Sequence, residues 1–244
     1  MKLFCRVATG LLLTGLLLLG GCAGSALSPD AQKGIRRVGV ISAIGDTMLM
    51  MNSPFFRWDM FELAYPIDQM DLDTFVTTEI AKQLEGKYEI VPVSYKVSDF
   101  QERGSISSRM KAHPPGADVD VYLVVAKADT GYGNTAVIAT GLGVIRAISG
   151  SHYYAHAIYG IAVIDAKTNK ELAVQFASDK FQSAFEGSFY GHPNREVTEA
   201  YWYEGEGPLP EAQKALLKPE FERLIQQSLP ETLQALKLIP GPTP

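Results

Sequence analysis

Cysteine is nearly missing from this chain. The 244 residues contain two, Cys5 and Cys22, and both precede residue 23. Everything after them lacks a thiol, which excludes a disulfide framework and a cysteine-ligated zinc site there. Positive charge is also short: 22 lysines and arginines face 27 aspartates and glutamates, for a net charge of −5. That balance argues against a nucleic-acid partner and against a polybasic grip on anionic lipid. The apolar run from Val7 to Leu19 falls short of the roughly 18 or more residues that a membrane-spanning helix needs. No H-E-x-x-H or G-x-S-x-G pattern occurs, so neither metalloprotease nor serine-hydrolase chemistry has a motif to stand on. The sequence calls for no cofactor and no metal.

What is present starts at the N-terminus. Lys2 and Arg6 precede the apolar run, and small residues follow it, the pattern of a secretory signal. Leu19-Gly20-Gly21-Cys22 resembles the lipobox of bacterial lipoproteins. That resemblance implies cleavage before Cys22, a diacylglycerol on its thiol and an acylated amine. One acyl chain anchors only marginally, whereas two or more hold firmly. Ala23 stands where a retained inner-membrane lipoprotein of this family commonly has aspartate, which points to the periplasmic leaflet of an outer membrane. Loss of Lys2 and Arg6 takes the net charge from −5 to −7. Residues 1–21 are thus expected as the signal peptide and 22–34 as a lipidated flexible tether, small, polar and aperiodic. A single α/β domain is expected over 35–239, followed by a loose proline-rich tail at 240–244.

Within the domain, Arg36–Ile44 reads as a buried strand because its apolar residues are β-branched and nearly continuous. After the Gly45-Asp46 turn, Thr47–Phe56 is expected to return as the second arm of a hairpin, with its methionines filling core gaps. Leu72–Glu85 has helical spacing at Leu72, Phe75, Val76, Ile80 and Leu84, with Asp71 as its cap and Gly86 as its end. Asp68, Asp71 and Asp73 crowd that N-terminus, where carboxylates favour the helix dipole. Tyr88–Tyr95 reads as a strand that lies at an edge or carries a bulge, because of Pro92. Asp118–Ala126 and His152–Ala166 read as buried strands. Lys167-Thr168-Asn169 turns the second of these into an antiparallel partner, Lys170–Ser178. A last helix is expected over Glu220–Leu238, kinked or split at Pro230. The order implies one mixed sheet with helices packed mainly on one face.

Two patterns look like chemistry and are not. His152 and His156 have H-x-x-x-H spacing, but on a strand that spacing is roughly 13 Å, too far for a shared metal. His113 in "HPPG" and His192 in "GHPN" read as turn residues. Gly131–Ala136, "GYGNTA", matches G-x-G-x-x-A, but Gly141 and Gly143 oppose the helix that should follow, and the next acidic residue is Asp165. The stretch 130–151 has five glycines and one charge, Arg146. It reads either as a hairpin packed on the sheet or as a docking or membrane-inserting surface carrying Val137, Ile138, Leu142, Val144 and Ile145. At 181–203, Phe181, Phe185, Phe189, Tyr190, Tyr201, Trp202 and Tyr203 are interleaved with glutamates. Such aromatics cover a core edge, bind a protein or flank a glycan.

The strand "RRVGVISAI", the helix and strand "LDTFVTTEIAKQLEGKYEIVPV", the strand "ADVDVYLVVA" and the hairpin "VIDAKTNKELA" resemble envelope lipoproteins of the curli-secretion type. The fold so implied also occurs in the N-terminal domain of TolB of the Tol-Pal system and in lipoprotein activators of peptidoglycan synthases. In the curli-secretion family, extensions between strands form a membrane barrel on oligomerisation; 130–151 is short for that. These readings lead to a non-enzymatic envelope lipoprotein, an interaction or assembly module facing the periplasm. Its partners are expected to be the membrane through Cys22 and either envelope proteins or further copies of itself. The competing expectations are an envelope hydrolase acting on glycan or peptide and a subunit of an oligomeric export channel.

Overall fold

The longest strand organises the molecule, and its composition explains why. Tyr153–Asp165 is β-branched, aromatic or small throughout and buried on both faces over nearly its whole length. At about 3.3 Å per residue it spans some 40 Å. A computed structural model describes residues 24–52, 61–101, 105–128, 139–146, 152–177 and 192–241. Among these residues there are nine strands and four helices. The strands are β1 (Arg37–Ala43), β2 (Thr47–Asn52), β3 (Phe61–Pro66), β4 (Glu89–Val91), β5 (Val121–Lys127), β6 (Gly141–Arg146), β7 (Tyr153–Asp165), β8 (Glu171–Phe176) and β9 (Asn194–Val197). The helices are α1 (Pro29–Gly34), α2 (Leu72–Leu84), α3 (Ile106–Ala112) and α4 (Glu211–Ala235). No described helix is long and apolar enough to cross a membrane.

The sheet is mixed, in the order β3-β2-β6-β7-β5-β1-β4, with β8 and β9 also on β7. The registers reduce this to a simpler plan. Lys127 of β5 lies opposite Tyr159, and Gly141 of β6 opposite Ile158. The two strands therefore form one interrupted antiparallel partner along one edge of β7. On its other edge β8 ends with Phe176 opposite Gly160, and β9 resumes with Asn194 opposite His156. β1 runs parallel to β5 and β2 parallel to β6, broken only at 44–46. Three of the columns are thus interrupted at one level, that of Tyr159 and Gly160.

Alternation then sorts the side chains. Val121, Leu123 and Val125 of β5, and Tyr159, Ile161 and Val163 of β7, meet Val76 and Ile80 of α2 and Phe221, Leu224 and Ile225 of α4 in the main core. Tyr159 shares a 2.8 Å hydrogen bond with Ser228 of α4. The second face carries a smaller cluster, with Tyr122, Val124, Ala162 and Ile164 packed with Phe100 and Met110. The expected class, a single mixed sheet with helices mainly on one face, is the observed one.

Four local expectations are corrected. β2 does not fold back on β1. It pairs with β3 and β6, because β1 already has neighbours on both edges. Asp71 does not cap α2 with its side chain; it is left-handed, at φ 53°. Asp73 is the carboxylate at work, accepting from Ser42 Oγ at 2.6 Å and from the Ile44 backbone N–H at 2.9 Å. The last helix starts at Glu211 and holds both Pro219 and Pro230 within one continuous run. Buried Leu224, Ile225, Leu229 and Leu233 fix it to the sheet on either side of Pro230, which outweighs the missing N–H.

The fourth correction concerns 22–34, expected as a flexible tether. Ser25 bridges to Val174 on the outer side of β8, and Leu27 is 1% exposed, its N–H on the carbonyl of Leu236. Ser28 caps α1 by accepting from Ala31 N–H. The chain is held from Gly24 onward because an apolar leucine among small residues found a place in the core.

Candidate functional site

Strand alternation sends three side chains to one end of the main face. β3 contributes Phe61, β6 contributes Arg146, and β7 contributes Tyr153. Trp202 lies over them, just past the 3-10 turn Glu199–Tyr201. Its ring centroid is 5.8 Å from that of Tyr153 and 6.4 Å from that of Phe61. The Arg146 guanidinium stacks 5.0 Å from the indole centroid, a cation–π geometry worth about 0.5–1 kcal/mol at exposed sites. Arg146 also donates from Nε to Asn52 Oδ1 at 2.8 Å and lies 3.7 Å from Glu204. Glu204 accepts the indole N–H at 3.1 Å. Tyr65 packs against Tyr203 at 5.3 Å and donates to the carbonyl of Gly205 at 2.9 Å. Burial, then Tyr203 and Glu204, push the Tyr65 hydroxyl above its usual range, so it stays a neutral donor.

Tyr201, Trp202 and Tyr203 are half-buried and pack against the main core. They cover the sheet's end and still present their outer edges. The sequence singled out these three but not Arg146, Phe61, Tyr65 or Tyr153, which complete the platform. Arg146 was legible as the one charge in an apolar stretch; its partner 94 positions earlier was not.

The other expected site residues separate. Leu142, Val144 and Ile145 are buried at 1%, 0% and 3%, in a strand flanked by β2 and β7. They are therefore core and not a docking surface, which corrects that expectation. Val137, Ile138 and Cys22 lie outside the described residues, as do Phe181, Phe185, Phe189, Tyr190 and the "GYGNTA" stretch. His152 sits just before β7 and its Nδ1 is 2.7 Å from Glu196. His156 is inside β7 and fully buried, with Nδ1 3.1 Å from the Gly141 carbonyl. The strand reading of H-x-x-x-H holds.

Among the described residues two recesses bear on function. One, of about 260 Å³, lies at the start of α2 and is lined by Asp68, Asp71, Asp73 and Tyr95. Among the described residues no group of three histidines, cysteines, aspartates or glutamates is placed to hold a metal ion. The other, of about 220 Å³, is apolar and opens on the second face at the sheet's interruption, where Ala126, Ala128 and Gly160 leave space beside Phe176. No protein-family model matches the chain, and a search of curated proteins finds none similar to it.

Proposed function

We propose that the chain is a bacterial envelope lipoprotein, held on a membrane by acylation of Cys22 and acting as a non-enzymatic interaction module that faces the periplasm. The observation that supports the anchor is positional. The lipobox-like Leu19–Cys22 closes the apolar run, and the folded chain is engaged from Gly24 and Ser25 onward. An acceptor thiol between an apolar leader-like run and the residues engaged with β8 is where lipidation requires it. The support for a binding role is the platform of Trp202, Tyr203, Tyr65 and Arg146. Trp, Tyr and Arg are the residues that carry most of the energy at protein interfaces. The export-channel alternative rested on the apolar stretch 130–151, and its Leu142, Val144 and Ile145 are spent inside the sheet.

Cys22→Ser is expected to abolish incorporation of labelled palmitate and to move the protein from the membrane fraction to the soluble one or leave it uncleaved. Unchanged labelling overturns the lipoprotein reading. Trp202→Ala is expected to cost about 1–2 kcal/mol for a half-buried ring, leaving the fold intact. It should also remove a cross-linked species formed by the wild type in intact envelopes. An identical cross-linking pattern in the variant removes the platform from the functional account.

A further inference from the structure

The folded domain begins too close to Cys22 to swing freely. Ser25 is fixed by its backbone bridge to Val174, whose N–H donates to the Ser25 carbonyl at 3.1 Å. Gly24 lies so close to β8 that a Cβ there would come within 2.5 Å of the Val174 carbonyl and meet the Gln175 side chain. Only Ala23 separates Gly24 from Cys22. Two residue steps span at most about 7 Å. The polar layer on each side of a bilayer's hydrocarbon is of similar thickness, about 5–8 Å. A thioether-linked glyceride at Cys22 therefore brings the adjacent end of β8 into the headgroup layer. Phe176 follows Gln175 directly on that strand and is 37% exposed, with Val174 beside it on the same face.

We propose that the second-face surface around Phe176, at the end of β8, rests on the bilayer that holds the Cys22 acyl chains, so that the domain is held in one orientation against the membrane. This rests on the lipoprotein reading. The partner is the lipid surface itself. The neighbouring recess, at about 220 Å³, is smaller than the roughly 300–1,000 Å³ of pockets that enclose a small ligand; it is too small to keep the long acyl chains out of the bilayer. The orientation leaves α4 and the opposite face of the sheet turned away from lipid.

The test uses the full lipidated protein in phosphatidylethanolamine/phosphatidylglycerol vesicles containing lipid with a nitroxide near the top of its acyl chain. An environment-sensitive fluorophore is placed on Phe176→Cys and, separately, on Leu216→Cys. Leu216 is exposed on α4, in the opposite layer. Mass spectrometry confirms acylated Cys22 in each preparation. The expected result is quenching several-fold stronger at 176 than at 216, abolished when a twelve-residue Gly/Ser linker is inserted between Ala23 and Gly24. Equal, weak quenching at both positions with Cys22 acylated overturns the proposal and leaves the lipoprotein reading standing. Absence of acyl chains on Cys22 overturns both.

Discussion

Excision of Asn134–Ser149 is expected to leave a chain that does not fold. Of the two readings that the sequence leaves open for 130–151, only a docking surface would let this excision yield a folded monomer without its partner. The described part of the stretch follows the other reading, packing on the sheet. The excised segment contains β6, which is hydrogen-bonded to β2 on one side and to β7 on the other. Leu142, Val144 and Ile145 are all buried, and each such side chain is worth about 1.5–3 kcal/mol of burial. Their joint loss, with two strand edges left unpaired in the middle of the sheet, rivals the 5–15 kcal/mol by which a whole domain is stable. Circular dichroism and urea titration of the purified variant decide it: a cooperative transition near the wild-type midpoint contradicts the central place of β6. Leu142→Ala is the graded version, expected to cost about 2–5 kcal/mol.

The same strand shows why part of the fold was legible and part was not. β5, β7 and β8 announce themselves by β-branched and aromatic runs with a polar turn at Lys167-Thr168-Asn169, and α2 by its apolar stripe. Those signals are local. β6 has the opposite signature, because glycine weakens strands and marks loops. Gly143 is nevertheless required inside the sheet. A Cβ there would stand 2.6 Å from His156 Nε2 and overlap the Leu49 carbonyl. Gly141 takes a left-handed φ of 62° where the chain enters β6. Both needs come from residues distant in sequence. The pairing of β2 with β6 rather than β1 is likewise decided by which edges are already occupied. The lipobox-like Leu19–Cys22 and the aromatics at 201–203 are readable because each is contiguous. Phe176 was not, because its exposure and its nearness to Gly24 arise only once the N-terminal segment packs on β8.

Acidification from pH 7 to pH 4 is expected to remove about 3 kcal/mol of stability through a single side chain, His156. Its imidazole is fully buried in β7, and burial lowers its pKa from 6.5 to about 4, helped by the neighbouring His192 and opposed by the hydrogen bond to Gly141. A carbonyl only accepts, so Nδ1 carries the proton of the neutral ring and donates it to Gly141 O at 3.1 Å. The unfolded chain binds a proton at this residue below about pH 6.5, whereas the folded chain does so only near pH 4. Between those values the unfolded state holds more protons, so stability falls as pH falls, by about 1.4 kcal/mol for each pKa unit of difference. The low pKa values of Asp120 and Asp165 contribute below the ordinary carboxylate range and leave this window to the histidine. His156→Gln keeps a donor for the Gly141 carbonyl and carries no charge at any pH. Urea unfolding of both proteins at intervals from pH 7 to pH 4 should show the wild type losing stability steadily across the window while the variant changes far less. Parallel curves for the two proteins would mean that the buried ring is protonated without cost, and the account of β7 as a dry strand at His156 would fail.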